Sequence, residues 1–155
     1  AWMAEHVLKH PDSRGLGIDF WDLDPAPVRR GHAVLWEKSA RERLAPHAGK
    51  VELFKGDSKE VLTSHAEEWR ERFDIVYIDG DHHYAGAMTD SVLSWPMAKP
   101  GAVVVWDDAK MGAGRTHDRK PGVQEALADF LKEYAGQYDF IVRPGLRQVW
   151  VRKTS

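Results

Sequence analysis

Two apolar runs that each stop at carboxylates constrain this chain more than any other feature of its sequence. Residues 73–78 read Phe-Asp-Ile-Val-Tyr-Ile and lead into Asp79, and residues 103–106 read Val-Val-Val-Trp and lead into Asp107 and Asp108. Runs of β-branched and aromatic residues bounded by Gly or Asp are typical of buried parallel strands. Because ligands bind just outside the carboxyl ends of such strands, we expect these acids to meet in one crevice.

The expected crevice has the residue types of a cation site. Asp81 lies two positions after Asp79 and joins the same group of carboxylates. Like charges gathered in a cleft are unfavourable without a cation or a shared proton. Carboxylate oxygens in this number suit Mg²⁺, Ca²⁺ or Mn²⁺ rather than Zn²⁺. Asp81 could also act as a general base, a role for which the neighbouring His82 and His83 compete.

Helices and strands alternate along the rest of the chain. Helices are predicted at residues 2–10, 34–44, 58–70, 85–97 and 121–136. Strands are predicted at residues 15–20, 51–55, 73–78 and 102–106, followed by a hairpin at 138–143 and 148–153. Residues 25–30 and the turn at 99–101 are predicted to be irregular, and residues 107–120 to form a loop. The alternation predicts an α/β fold, Rossmann-like and doubly wound, whose mostly parallel sheet ends in an antiparallel hairpin.

Composition limits the classes of partner. The chain has 155 residues, and we expect one domain over residues 1–155. Its formal charge of −2 gives no electrostatic basis for binding nucleic acid or an anionic membrane. There is no cysteine, which excludes disulfides and permits the cytoplasmic location that we expect. The oligomeric state stays open, a homodimer included.

Two earlier predicted strands also end in acids. Asp19 ends the first one, at a position where dinucleotide-binding folds hydrogen-bond ribose hydroxyls, although a turn or capping role is equally open. Asp57 and Ser58 follow the second one. An acid there could accept a hydrogen bond from an adenine amino group, but a helix N-cap is the simpler interpretation.

The order of these elements resembles that of class I S-adenosylmethionine-dependent methyltransferases. The chain is most similar to the Mg²⁺-dependent O-methyltransferases of the macrocin type, which modify sugars on natural products. The specific part is Ile-Asp-Gly-Asp-His at residues 78–82 together with the Asp-Asp pair at 107–108. The resemblance implies S-adenosylmethionine and Mg²⁺ or another divalent cation as cofactors. It also implies a hydroxyl of a small molecule or sugar as the substrate, and a seven-stranded sheet whose last strand is antiparallel.

The resemblance assigns roles to individual residues. It implies that Asp79, Asp107 and Asp108 are the metal ligands. It implies that Asp81 is the general base, with His82 as the second candidate for that role.

The resemblance also implies a cofactor site. Its contacts would be Asp19 on the ribose, Asp57 and Ser58 on the adenine side, and Asp79. The family's first strand and glycine-rich loop, which hold the methionine part of the cofactor, are not found ahead of residues 2–10. We therefore expect the chain to be incomplete at its N-terminus and to bind the cofactor weakly on its own.

Two other functions stay open. Asp79-Gly80-Asp81 after an apolar strand is also the DxD element of metal-dependent glycosyltransferases, although that interpretation leaves Asp107 and Asp108 unexplained. A degenerate binding domain or an inactive fragment is the non-enzyme alternative. Binding of a nucleotide sugar instead of S-adenosylmethionine would support the glycosyltransferase.

Overall fold

The computed structural model describes residues 2–21, 27–112 and 122–155. The chain divides into two compact units, Ala1–Val61 and Leu62–Ser155. The assignment of residues 1–155 to one domain stays a prediction.

Helices and strands alternate within the described residues. The helices are α1 (Trp2–His6), α2 (Pro27–Leu44), α3 (Ser58–Ser64), α4 (Tyr84–Ser94) and α5 (Val123–Glu133), with short 3₁₀ turns at Ala45–His47 and Trp95–Met97. The strands are β1 (Gly15–Asp19), β2 (Val51–Lys55), β3 (Phe73–Ile78), β4 (Ala98–Trp106), β5 (Tyr138–Val142) and β6 (Val149–Lys153). No described helix combines the length and the apolar character that crossing a membrane requires.

The first unit contains a parallel pair of strands with a helix between them in the sequence. Strand β1 pairs with β2, in a register that runs from Gly15 opposite Val51 to Asp19 opposite Lys55. Helix α2 begins at Pro27, so the prediction of irregular structure was wrong for residues 27–30. Proline suits the first helical position because it lacks an amide that would have no partner there. Residues 25 and 26 of that prediction lie outside the described residues.

The second unit contains a four-stranded mixed sheet in the order β3-β4-β6-β5. Strands β3 and β4 are parallel, and β6 is antiparallel to both β4 and β5. The predicted α/β class and the antiparallel C-terminal hairpin are confirmed. The last strand of the hairpin, β6, pairs with β4 and lies between β4 and β5, so β5 forms the edge of the four-stranded sheet.

Strand β4 begins earlier than predicted. Residues 99–101 were expected to be a turn, but they belong to the strand and form an irregularity in it. The register moves from Phe73 opposite Ala98 to Ile75 opposite Val103, and Gly101 adopts a φ of 87°. A glycine tolerates this left-handed conformation, so the strand accommodates the extra residues as a bulge.

Helices α1 and α3 end before their predicted limits. Helix α1 stops at His6, and beyond it Lys50 Nζ donates to the carbonyls of Leu8 at 2.7 Å and His10 at 2.9 Å. Residues 65–70 form turns instead of extending α3, and Trp69 is buried there, with its ring 4.2 Å from the ring of His65. Packing of this large side chain overrides the helical propensity of the segment.

The core of the second unit fixes the end of β4 against α4. Trp106 is 1% exposed, and its Nε1 donates to Ser91 Oγ at 2.8 Å. The Ser91 hydroxyl in turn donates to the Ala87 carbonyl at 2.6 Å. Because every polar atom in this chain of hydrogen bonds has a partner, the indole can be buried beside Phe130 at low cost. The acids that follow Trp106 are thereby attached to a rigid strand end.

Candidate active site

The carboxyl ends of β3 and β4 lie side by side because these strands are parallel neighbours. Ile78 pairs with Trp106, and the Asp107 amide donates to the Ile78 carbonyl at 3.0 Å. The acids that follow the two strands, Asp79 and Asp108, are therefore brought to the same edge of the sheet.

Two carboxylates and one imidazole form a compact cluster at this edge. Ligand atoms of Asp79, His82 and Asp108 all lie within 4.8 Å of one another. The Nε2 atom of His82 is 3.2 Å from Asp108 Oδ2 and 3.9 Å from Asp79 Oδ1. Asp108 adopts a φ of 48°, in the left-handed region that Asp and Asn tolerate better than most residues. Such backbone conformations are often found at functional sites.

The carboxylates of this edge repel one another. Burial first, and then the negative charges of Asp107 and Asp108, raise the pKa of Asp79 above its ordinary value. The nearby His82 and Arg147 act in the opposite direction without cancelling the effect. A carboxyl whose pKa is raised by other carboxylates is in an environment that a bound cation would stabilise.

Asp107 has a different environment from its two neighbours. It is 8% exposed, and its Oδ2 accepts a hydrogen bond of 2.6 Å from the Tyr77 hydroxyl. Its Oδ1 accepts from the Asp108 amide at 2.8 Å and from Arg147 Nε at 3.2 Å. Burial alone would raise the pKa of Asp107, but these donors and the positive charge of Arg147 bring it below its ordinary value. Asp107 is thus a carboxylate that the protein itself keeps ionised.

Arg147 and Gln148 connect the β5–β6 turn to this cluster. Arg147 Nε lies 3.3 Å from Asp108 Oδ1 as well as 3.2 Å from Asp107 Oδ1. The Coulombic attraction of these two carboxylates raises the pKa of the Arg147 guanidinium. Gln148 Nε2 donates to the Tyr77 hydroxyl at 3.0 Å, which completes the chain of donors around Asp107.

Tyr77, Arg147 and Gln148 were not among the site residues predicted from the sequence. Tyr77 was included only as an apolar strand residue, and the other two lie in or beside a turn 40 residues after Asp107 in the sequence. The available signal was the expected hairpin itself, since a turn that follows a neighbouring strand can reach the same sheet edge. Sequence spacing alone does not reveal which turn residue makes the contact.

Asp81 lies outside the cluster formed by Asp79, His82 and Asp108. Its Oδ1 accepts from the His83 amide at 3.0 Å and lies 2.8 Å from the His83 Nδ1. Its side chain packs directly against Gly86 in the first turn of α4, where a Cβ atom would overlap it. Asp81 therefore has a defined position, with about half of its side chain accessible to solvent. Its role as general base, and that of His82, stay predictions.

The two aspartates of the first unit that were predicted to bind the cofactor each accept a hydrogen bond from the backbone amide two residues later. Asp19 Oδ1 accepts from the Trp21 amide at 3.1 Å. Asp57 Oδ1 accepts from the Lys59 amide at 2.8 Å and caps α3, which begins at Ser58. Asp57 is therefore the helix N-cap, which is the simpler of the two interpretations of the sequence. The assignment of these residues and of Asp79 to the cofactor stays a prediction.

The residues at the end of β3 and β4 fit a hard divalent cation. Asp79 and Asp108 present carboxylate oxygens, the ligand type of Mg²⁺ and Mn²⁺. The His82 Nε2 atom lies 3.9 Å from Asp79 Oδ1 and 3.2 Å from Asp108 Oδ2. Together with Asp107, these two aspartates place three carboxylates at this edge, where the guanidinium of Arg147 lies against Asp107 and Asp108.

Comparison with known proteins identifies the family. A family model described as a methyltransferase domain matches residues 1–109. The chain belongs to this methyltransferase family. The match includes β3, β4 and all the acids at their carboxyl ends, and it favours the methyltransferase over the glycosyltransferase alternative. A search of curated proteins gave no significant match.

Solved structures show the same fold. The O-methyltransferase TomG from Streptomyces achromogenes, in complex with SAM, is 19% identical with a TM-score of 0.58, over 92% of this chain and 73% of that one. MycE from the mycinamycin biosynthetic pathway, in complex with Mg, SAH and mycinamycin VI, is 21% identical with a TM-score of 0.58, over 93% of this chain. CalS11, a TDP-rhamnose 3'-O-methyltransferase of calicheamicin biosynthesis, is 19% identical with a TM-score of 0.59, over 97% of this chain. The chain spans only 45% of MycE and 63% of CalS11.

Proposed function

We propose that this chain carries the catalytic site of an S-adenosylmethionine-dependent O-methyltransferase that uses a divalent cation. The observation that supports this most strongly is the cluster of Asp79, His82 and Asp108 at two paired strand ends of a methyltransferase-family fold. The methyl group would come from S-adenosylmethionine, which supplies the electrophile.

In this proposal Asp79, Asp107 and Asp108 hold the cation, with His82 beside it. Burial, and then repulsion by Asp107 and Asp108, raise the pKa of Asp79, and this supports the assignment, since a bound cation would offset the repulsion. The chemistry that a bound Mg²⁺ supplies is a lower pKa of the substrate hydroxyl. The carboxylates would hold the cation in a fixed place, because they follow strands whose ends are fixed by backbone pairing.

Asp81 is proposed as the group that accepts the proton of that hydroxyl. It lies two residues after Asp79, and its Oδ1 is held by the His83 amide while much of the side chain faces solvent. His82 is the weaker candidate because its Nε2 already lies against Asp108. General-base catalysis contributes about 10²–10⁴-fold in rate, so loss of the base should be readily measurable.

The proposed acceptor is a hydroxyl of a small molecule, with sugars as the first class to test. Two structures of the same fold support this choice, since MycE was solved with mycinamycin VI and CalS11 is named for TDP-rhamnose. A cytoplasmic location stays a prediction.

The test is transfer of a labelled methyl group from S-adenosylmethionine to a nucleotide sugar and to a catechol. Activity should disappear with excess chelator and return with Mg²⁺. Undiminished transfer in chelator would contradict the role of the cation. Asp81→Asn keeps an oxygen for the His83 amide, so it should lower turnover about 10²–10⁴-fold while leaving cation affinity intact. His82→Gln is the matched variant, and a larger loss of turnover with normal cation affinity would make His82 the base.

A further inference from the structure

Arg147 contacts one oxygen of each of two carboxylates that the proposed function assigns to the divalent cation. Its Nε atom donates to Asp107 Oδ1 at 3.2 Å and lies 3.3 Å from Asp108 Oδ1, so one guanidinium contacts two proposed ligands. We infer that the Arg147 guanidinium and the divalent cation are alternative occupants of the Asp107–Asp108 pair, and that Arg147 thereby sets the cation affinity. The inference rests on the proposed function, since it concerns the same site.

The backbone of Arg147 is anchored, while its side chain is not buried. The Ala109 amide donates to the Arg147 carbonyl at 2.8 Å, which attaches the turn to the segment directly after Asp108. The neighbouring Gln148 is tied to Tyr77 at 3.0 Å. The side chain of Arg147 is 73% exposed, so the guanidinium can leave the carboxylates for solvent without moving the turn.

The carboxylates contacted by Arg147 differ in their other partners. Asp107 also accepts from Tyr77 and from the Asp108 amide, which hold it in place when Arg147 leaves. The second oxygen of Asp108 lies 3.2 Å from His82 Nε2. Departure of the guanidinium therefore frees Oδ1 of Asp108 and leaves Oδ1 of Asp107 with the Asp108 amide as its donor, on side chains that remain oriented.

Arg147 also has a stabilising role when no cation is bound. Three carboxylates at one sheet edge repel one another, and a guanidinium between two of them reduces this repulsion. The same charge opposes the approach of a divalent cation, since like charges a few ångströms apart repel even in water. Arg147 thus stabilises the cation-free protein at the expense of cation affinity.

The test is calorimetric titration of Mn²⁺ and Mg²⁺ into the wild type, Arg147→Gln and Arg147→Lys. Arg147→Gln should bind the cation about three- to tenfold more tightly, and the gain should shrink as ionic strength rises. Arg147→Lys keeps the charge and should stay close to the wild type. Arg152→Gln is the matched control, because it removes the same charge from a side chain that donates to the Gly101 carbonyl, and its affinity should not change.

Thermal unfolding provides a second readout that does not depend on activity. Without cation, Arg147→Gln should unfold at a lower temperature than the wild type, and added Mn²⁺ should raise its unfolding temperature more than that of the wild type. Equal or weaker cation binding by Arg147→Gln would overturn the inference while leaving the proposed function in place. If neither protein binds a cation, the metal centre itself is wrong and the inference fails with it.

Discussion

Strand β1 ends at Asp19 and strand β3 is followed directly by Asp79, and the two carboxylates have different surroundings. The side chain of Asp19 accepts from the backbone amide of Trp21, two residues later. Asp79 instead lies within 4.8 Å of ligand atoms from two other side chains, and burial and neighbouring carboxylates raise its pKa. A sequence pattern of strand followed by acid is thus compatible with a local turn as well as with a cation site.

The acids that follow the second strand of each parallel pair, β2 and β4, differ in the same way. Asp57 follows β2 and caps the helix that begins one residue later. Asp107 and Asp108 follow β4, where a chain of Tyr77, Gln148 and Arg147 surrounds the first of them. Asp57 uses its carboxylate for local capping, whereas Asp107 and Asp108 also have side-chain partners from distant parts of the sequence. Carboxylates with distant partners are therefore the better candidates for function.

The largest expected effect comes from removing a carboxylate of the cluster. Asp108→Asn should weaken Mn²⁺ binding at least about tenfold, since even an outer-sphere partner of a metal contributes a factor of this size. The variant should not be less stable, because asparagine tolerates the φ of 48° and one repelling charge is lost. Calorimetric titration and urea unfolding measure the two quantities. Asp57→Asn is the control, and the comparison fails if both variants lose cation affinity equally.

This contrast also explains how much could be predicted from the sequence. The six described strands, four of them with an acid at or just after the carboxyl end, follow from apolar runs and turn residues, because strand periodicity is local information. The early start of β4 was missed because Gly101 forms a bulge within the strand, and the end of α3 was missed because Trp69 packs into turns. The partners of Asp107 were missed since a side chain that reaches a distant carboxylate leaves no spacing signal.

The second prediction concerns the close contact between Asp81 and α4. Gly86→Ala places a methyl group on the Asp81 side chain, including its Cβ atom, which cannot rotate away. We expect a loss of about 1–3 kcal/mol in the free energy of unfolding, although alanine in a helix normally stabilises. Urea unfolding measures it, and turnover should fall as Asp81 is displaced. Gly49→Ala is the control because nothing lies within 4 Å of its added Cβ. An unchanged Gly86→Ala protein would mean that Asp81 can relax freely.

A smaller effect is expected at the first-unit acid that caps a helix. Asp57→Ala removes the acceptor for the Lys59 amide and should cost about 1 kcal/mol in the free energy of unfolding. Asp57→Asn retains a capping oxygen and should recover most of that loss. Cation affinity should be the same in both variants. A change in cation affinity without a change in stability would show that Asp57 belongs with the carboxylates of β3 and β4 after all.

The smallest expected effect is a pH dependence of stability that involves Tyr77, whose hydroxyl donates to Asp107. Burial first, and then the hydrogen bond to Asp107, raise the pKa of Tyr77 to about 12 from its ordinary value of 10. Because the folded protein retains this proton more strongly than the unfolded chain, the contribution of the hydroxyl to stability is fully present below pH 10 and is lost as the pH rises through about 12. The difference in urea midpoint between the wild type and Tyr77→Phe should therefore be constant from pH 7 to 9 and vanish near pH 12.

Absorbance at the phenolate band should show that Tyr77→Phe lacks the last tyrosine transition. A difference that persists unchanged at pH 12 would mean that Tyr77 stabilises the sheet by packing alone, and that Asp107 is not held by its hydroxyl.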